Sequence, residues 1–177
     1  MFFPALDVPP EQQEMVECAI SAAIKYEIPA NIMLAVAEKE GGKTGQWVRN
    51  SNGTYDVGYM QFNTAYLKSL KKYGIEAKHV AAGGCYSYDL AAWRISAHLR
   101  DGQKGDMWTR VANYHSTTPK FNGRYRADLI TKAVKWGEWL KAHYHTVETA
   151  VETTVTPRMV YKPESGFYTP RRLIYGR

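Results

Sequence analysis

From Pro9 the chain reads "PPEQQEMVECAISAAIKY", with apolar side chains at Met15, Val16, Ala19, Ile20, Ala23 and Ile24. This spacing follows the period of a helix with one buried face, and the leading prolines and acids suit its first turn. A second helix is expected from Pro29 through "PANIMLAVAEKE", closed by the pair Gly41-Gly42, because glycine accepts the left-handed backbone that ends helices. The segments "TAYLKSLKKYGI", "SYDLAAWRISAHLRDG", "WTRVANYH" and "YRADLITKAVKWGEWLKAHY" predict further helices. Between them, Asn52-Gly53 flanked by residues of strand type predicts a hairpin. The pattern therefore predicts a mainly α domain, α+β in detail, with one small β-hairpin.

From about Thr146 the helical period stops, and the chain turns to threonine, proline, basic and aromatic residues. This divides a domain over 1–145 from an extension over 146–177. Between Pro157 and Arg177 the extension carries Arg158, Lys162, Arg171, Arg172 and Arg177 against Glu164, with Tyr161, Phe167, Tyr168 and Tyr175 interleaved. It is read either as a segment that packs on the domain or stays mobile, or as a docking strip for a partner or an anionic polymer.

Composition narrows the partners. At 177 residues the chain can bury a real core, and no apolar run approaches the roughly 20 residues of a membrane span. The net charge of +6 and pI near 9.2 favour anionic partners. The basic residues are scattered, with no zinc-finger spacing, basic heptad or RNA-binding aromatic signature, which argues against nucleic acid. Cys18 and Cys85 are too few for a disulfide scaffold and form no CxxC pair. They are either two buried thiols or one bond, whose closure would contribute about 4 kcal/mol in the chain-entropy model. The opening "MFFPALDVPPEQQE" has neither the basic stretch nor the apolar core of a signal peptide, so the expectation is a mature form or another export route.

Candidate chemistry centres on Glu40. On a helix it shares the apolar stripe of Met33 and Val36, so its carboxyl should lose hydration and hold a proton near neutral pH. Glu38, among polar neighbours, fits a solvent-facing acid. Beyond the helix, "SNGTYDVGYMQFN" offers close backbone approach at Gly58, flat apolar surface at Tyr59 and Met60, and a two-way amide at Gln61. That mixture suits sugar rings, although a bulged hairpin accounts for it as well. His143 and His145 lack helical ligand spacing for a metal and read as helix-end residues. Asn52-Gly53-Thr54 matches a glycosylation acceptor in form, and turn formation explains it more simply.

Taken in order, "AVAEKEGG", "NSNGTYDVGYMQFNTAYL" and "ANYHSTTPKFNGRY" resemble the catalytic core of lysozyme-like lytic transglycosylases of the soluble-lytic-transglycosylase type. The likeness runs from about Cys18 to Tyr144 and is greatest to the specialised enzymes of type IV secretion and conjugation systems. The resemblance implies a lysozyme-like fold and cleavage of the peptidoglycan MurNAc-GlcNAc β-1,4 bond with formation of 1,6-anhydroMurNAc. It implies Glu40 as catalytic acid and base, Gly58, Tyr59, Met60 and Gln61 lining the glycan groove, and Tyr114 facing the reacting sugar. It also implies a Cys18–Cys85 cystine, a periplasmic location, action as a monomer, and no cofactor or metal. Many members carry serine after the catalytic glutamate, where this chain has Gly41, and the usual tyrosine-asparagine order is here Asn113-Tyr114-His115. Two alternatives stand beside this reading. Asp56 lies near the place of the second acid of c-type lysozymes, which would allow hydrolysis by two carboxylates about 5 Å apart. A peptidoglycan-binding module could keep the groove without chemistry.

Overall fold

The computed structural model describes residues 8–100, 104–146 and 173–174. Helix α1 (Pro10–Lys25) starts behind Pro9 as its N-cap. It buries Val16, Ala19, Ile20, Ala22 and Ala23. Helix α2 (Ala30–Glu40) is the central element, with every side chain from Ala30 to Ala37 buried. Such a segment has no polar face, so it is stable only when surrounded. It ends on Gly41, whose φ of 54° is left-handed and whose N–H donates to the Ala37 carbonyl.

After α2 comes a small antiparallel sheet in the order β1 (Trp47–Arg49), β2 (Tyr55–Val57), β3 (Phe62–Asn63). Its register pairs Val48 with Asp56 and Asp56 with Asn63. The turn predicted at Asn52-Gly53 closes the hairpin. Gly53 is left-handed, and Asn52 Oδ1 accepts from the Thr54 N–H at 3.1 Å, an Asx turn. The third strand was not anticipated, because a two-residue strand has too few positions to show a period.

Helices α3 (Thr64–Leu70), α4 (Ala77–Ala81), α5 (Tyr86–Leu99), α6 (Met107–Ala112) and α7 (Pro119–His143) follow, with a 3-10 turn over Lys71–Tyr73. Helix α7 starts at Pro119, earlier than its apolar stripe predicts, because proline suits the first helical position. Its stripe of Tyr125, Leu129, Ala133, Trp136 and Leu140 packs along α2. The seam is stitched by Asn31 Nδ2 to the Ala133 carbonyl at 3.1 Å, and by a Lys39–Asp128 ion pair. Asn122 ties α7 to α6 and to the loop after it by donating to the Thr109 and Ser116 carbonyls, each at 3.0 Å. On the other side of the core, a Cys18–Cys85 disulfide joins α1 to the start of α5.

The result is a mainly α, lysozyme-like fold in which helices surround α2 and the small sheet flanks its C-terminal end. No helix among the described residues is long and apolar enough to cross a membrane. The extension predicted over 146–177 lies almost wholly outside the described residues. Its Leu173–Ile174 (β5) pairs antiparallel with His145–Thr146 (β4) just past α7.

Candidate active site

Glu40 is the last residue of α2, and its carboxyl is half-buried where α2, α7 and the sheet meet. The Tyr125 hydroxyl on α7 donates to Glu40 Oε1 at 2.7 Å. Among the described residues the other oxygen, Oε2, has no hydrogen-bond partner. Burial pushes the Glu40 carboxyl up from its ordinary 4.5 to about 7, and the Asp56 charge adds to the rise. The Tyr125 hydrogen bond and the Lys39 and Arg94 charges pull in the opposite direction without cancelling it. Desolvation dominates because the neighbouring donor is a neutral phenol rather than a bound cation. Tyr125 itself stays protonated, pushed far up by burial and by the Glu40 charge.

An open cleft of about 830 Å3 runs past Glu40, lined by Asp56, Gln61, Asn63, Tyr66, Arg94 and Tyr114 together with Asn50 to Asn52 and His115 to Ser116. A smaller recess of about 280 Å3 shares Glu40, His115 and Phe121 with it and adds Lys39, Arg124 and Tyr125. Asp56 is held by Asn63 Nδ2, which donates to its Oδ1 at 2.9 Å. Arg94 lies over the rings of Tyr66 and Tyr114, 4.0 and 4.9 Å from their centroids. His115 stacks on Tyr125 at 4.8 Å, with planes 7° apart. Polar groups, ring faces and an acid that is protonated near neutrality thus share one surface. It can hold a hydroxyl-rich ligand and exchange a proton with it.

The residues singled out from sequence do not all arrive here. Glu40, Asp56, Gln61 and Tyr114 line the cleft. Tyr59 and Met60 do not, which corrects the expectation that they form the sugar platform. Met60 is fully buried in the core. The Tyr59 hydroxyl donates to Glu14 Oε2 at 3.0 Å, and its ring packs 5.5 Å from that of Tyr88, behind the Gly41-Gly42 segment. Gly58 is also buried, and a Cβ there would lie 2.4 Å from the Val80 carbonyl oxygen. The reason is local backbone geometry. Gly58 and Gln61 both have positive φ, 69° and 47°, and the turn between them sends residues 59 and 60 inward.

Gln61 is not glycine, so that conformation costs about 1 to 2 kcal/mol. Its Nε2 donation to the Gly58 carbonyl at 2.8 Å helps to hold it. Gly42 is required alongside, since a Cβ there would fall 2.0 Å from the Gly58 oxygen.

Tyr114 lies on the cleft floor, but its hydroxyl is already donated to the Met60 carbonyl at 2.8 Å. It therefore braces the turn that carries Gln61. Glu38 corrects a second expectation. Instead of facing solvent it accepts from Trp136 Nε1 at 2.6 Å and from Lys132 Nζ at 3.0 Å. His143 ends α7 and stacks on Trp139 at 4.3 Å, and among the described residues no group of three or more His, Cys, Asp or Glu could hold a metal.

Sequence reasoning missed Tyr125, Arg94 and Tyr66. Tyr125 opens the α7 stripe, so the helical period marks it as inward-facing. Nothing in the period says that it meets a residue 85 positions earlier. Gly41 has no side chain to offer Glu40 a hydroxyl, and Tyr125 provides one.

No family model matches the chain. Protein IpgF of Shigella flexneri is 32% identical over 106 residues, 59% of this chain and 68% of IpgF. Invasion protein IagB of Salmonella typhimurium is 31% identical over 129 residues, 71% of this chain and 76% of IagB, and the Salmonella typhi protein of that name matches to the same extent. Identity at this level, over most of both chains, goes with shared descent, and the chain belongs to the family of the invasion protein IagB and protein IpgF.

Proposed function

We propose that this protein is a peptidoglycan lytic transglycosylase, cleaving the MurNAc-GlcNAc β-1,4 bond to leave a 1,6-anhydroMurNAc end. The observation that carries the reading is Glu40, a carboxyl protonated near neutral pH in an open polar cleft, its Oε1 held by a neutral tyrosine hydroxyl. Glu40 as the acid gives its proton to the glycosidic oxygen as the bond to the anomeric carbon breaks. The acetamido group of the substrate stabilises the positive charge left there. The Glu40 carboxylate then takes the proton of the muramyl C6 hydroxyl, whose oxygen closes onto the anomeric carbon. Protons balance, and one carboxyl serves both steps.

Membership in a family that includes an invasion protein supports a role in opening the wall locally for a secretion or conjugation apparatus, in the periplasm. The basic, aromatic stretch 157–177 is the proposed contact with a component of that apparatus. Its deletion should abolish recruitment and leave glycan cleavage in place.

A second reading, hydrolysis with Asp56 as the other carboxylate, is favoured by one observation: Asp56 lines the same cleft and its charge acts on Glu40. The orientation of Asp56 toward Asn63 fits an electrostatic role better. Mass spectrometry of digested peptidoglycan separates the two. Anhydromuramyl ends support transglycosylation, and reducing muramic ends alone overturn it.

A further inference from the structure

The cations around Glu40 differ in what they already hold. Lys39 is tied to Asp128 and lies 5.0 Å from the centroid of the Tyr125 ring. Arg94 is seated over two tyrosine rings. Farther along α7, Arg126 donates to Thr109 Oγ1 at 2.6 Å and lies 3.6 Å from Asp106. Arg124 is exposed, and among the described residues no carboxylate pairs with it, yet it lines the recess that opens from the catalytic cleft beside Glu40. Phe121, 52% exposed, and the stacked rings of His115 and Tyr125 complete that recess. It therefore offers ring faces and an exposed planar guanidinium, whose fork of donors matches a carboxylate. An uncharged sugar ring needs none of this charge.

We infer that the Arg124 recess is a specificity site that receives a carboxylate carried by the muramyl unit bound at Glu40. This rests on the transglycosylase reading and adds a preference within it. The carboxylate has two possible sources, the acidic peptide stem or, where the stem is absent, the lactyl group, and the chemistry recognised is the same. Contact at one end of an open cleft should act on binding and leave the proton transfers at Glu40 to proceed.

The test uses the full chain carrying Glu40→Gln to prevent turnover, with and without Arg124→Ala. Three probes are titrated: stem-bearing glycan tetrasaccharide, the same after amidase removal of the stem, and chitotetraose, which has no carboxylate. The Kd preference for stem-bearing glycan over chitotetraose should fall about fivefold in Arg124→Ala, the size of one partly screened charge-assisted contact. Arg124→Lys should recover part of it, and added salt should shrink it. A loss confined to the stem-bearing probe identifies the stem as the source, and a loss seen with both acidic probes shows that the recess accepts a stem carboxylate and, once the amide is cleaved, the lactyl carboxylate. Either result supports the inference. An unchanged preference, with melting temperature preserved, overturns it. If the parent enzyme leaves no anhydromuramyl ends on whole peptidoglycan, the functional reading fails and this inference fails with it. Anhydro ends together with an unchanged preference remove this inference alone.

Discussion

The last turn of α2 carries two glutamates with opposite surroundings. Glu38 turns toward α7, where Lys132 and the Trp136 indole take both of its oxygens. Glu40 turns toward the cleft, where a phenol takes one oxygen and, among the described residues, no cation is bound to either. Residue type and helix are the same. The difference teaches that partner chemistry decides what a half-buried acid becomes: Glu38 joins two helices, and Glu40 keeps a titratable proton.

The sharpest way to break this contrast is Glu40→Gln. Release of anhydromuramyl product should fall about 1000-fold, in the middle of the range for removing a general acid-base. Equal activity in mutant and parent removes Glu40 from the mechanism. Stability should move the other way. A carboxyl whose folded pKa is about 7 against an ordinary 4.5 binds more protons folded than unfolded between those values. Unfolding free energy therefore falls as pH rises from about 4.5 to 7, by up to about 3 kcal/mol, and levels off above. Glu40→Gln should flatten that slope in denaturant titrations across pH. If the slope survives, another group causes it.

Next in size is Tyr125→Phe. Its hydroxyl favours the ionised carboxyl, so removing it should raise the Glu40 pKa and move the alkaline limb of the rate profile upward. Activity at neutral pH should drop about tenfold, the price of losing one hydrogen bond that orients the acid. A downward move of that limb contradicts the assigned hydrogen bond.

Asp56→Asn should have a smaller effect, less than about fivefold on rate, because it removes a charge that acts at a distance. Here the alkaline limb should move down, opposite to Tyr125→Phe, since the Asp56 charge raises the Glu40 pKa. A loss as deep as that of Glu40→Gln places Asp56 in the chemistry itself and ends its purely electrostatic role.

The smallest effect on rate belongs to Glu38→Gln. Catalysis should change less than about twofold, while unfolding in urea should show a loss of about 1 to 2 kcal/mol from the weakened junction. A large rate effect without loss of stability ends the division of labour between the two acids.

The ease with which each feature could be read follows its sequence range. Helices α1 and α2 and the Asn52-Gly53 turn were legible, because apolar spacing, prolines and glycines act within a few residues. Helix α4 was not, since five residues hold little more than one turn of pattern. Tyr59 and Met60 misled because a flat apolar pair reads alike whether it faces a ligand or the core. Only the paired positive φ angles at Gly58 and Gln61 settle which.

By itself the sequence determined a mainly helical domain, a central apolar helix ending on an acid, and the turn that follows it. These depend on local sterics and on a periodicity that any partner surface would satisfy. The tertiary structure alone decided that Tyr125, not Tyr114, reaches Glu40, and that Glu38 is consumed by α7. It also decided that Arg124, exposed beside the cleft, pairs with no carboxylate among the described residues. Each of these depends on which side chains long-range packing brings within a few ångströms, and hydrogen bonding and desolvation act only over that distance.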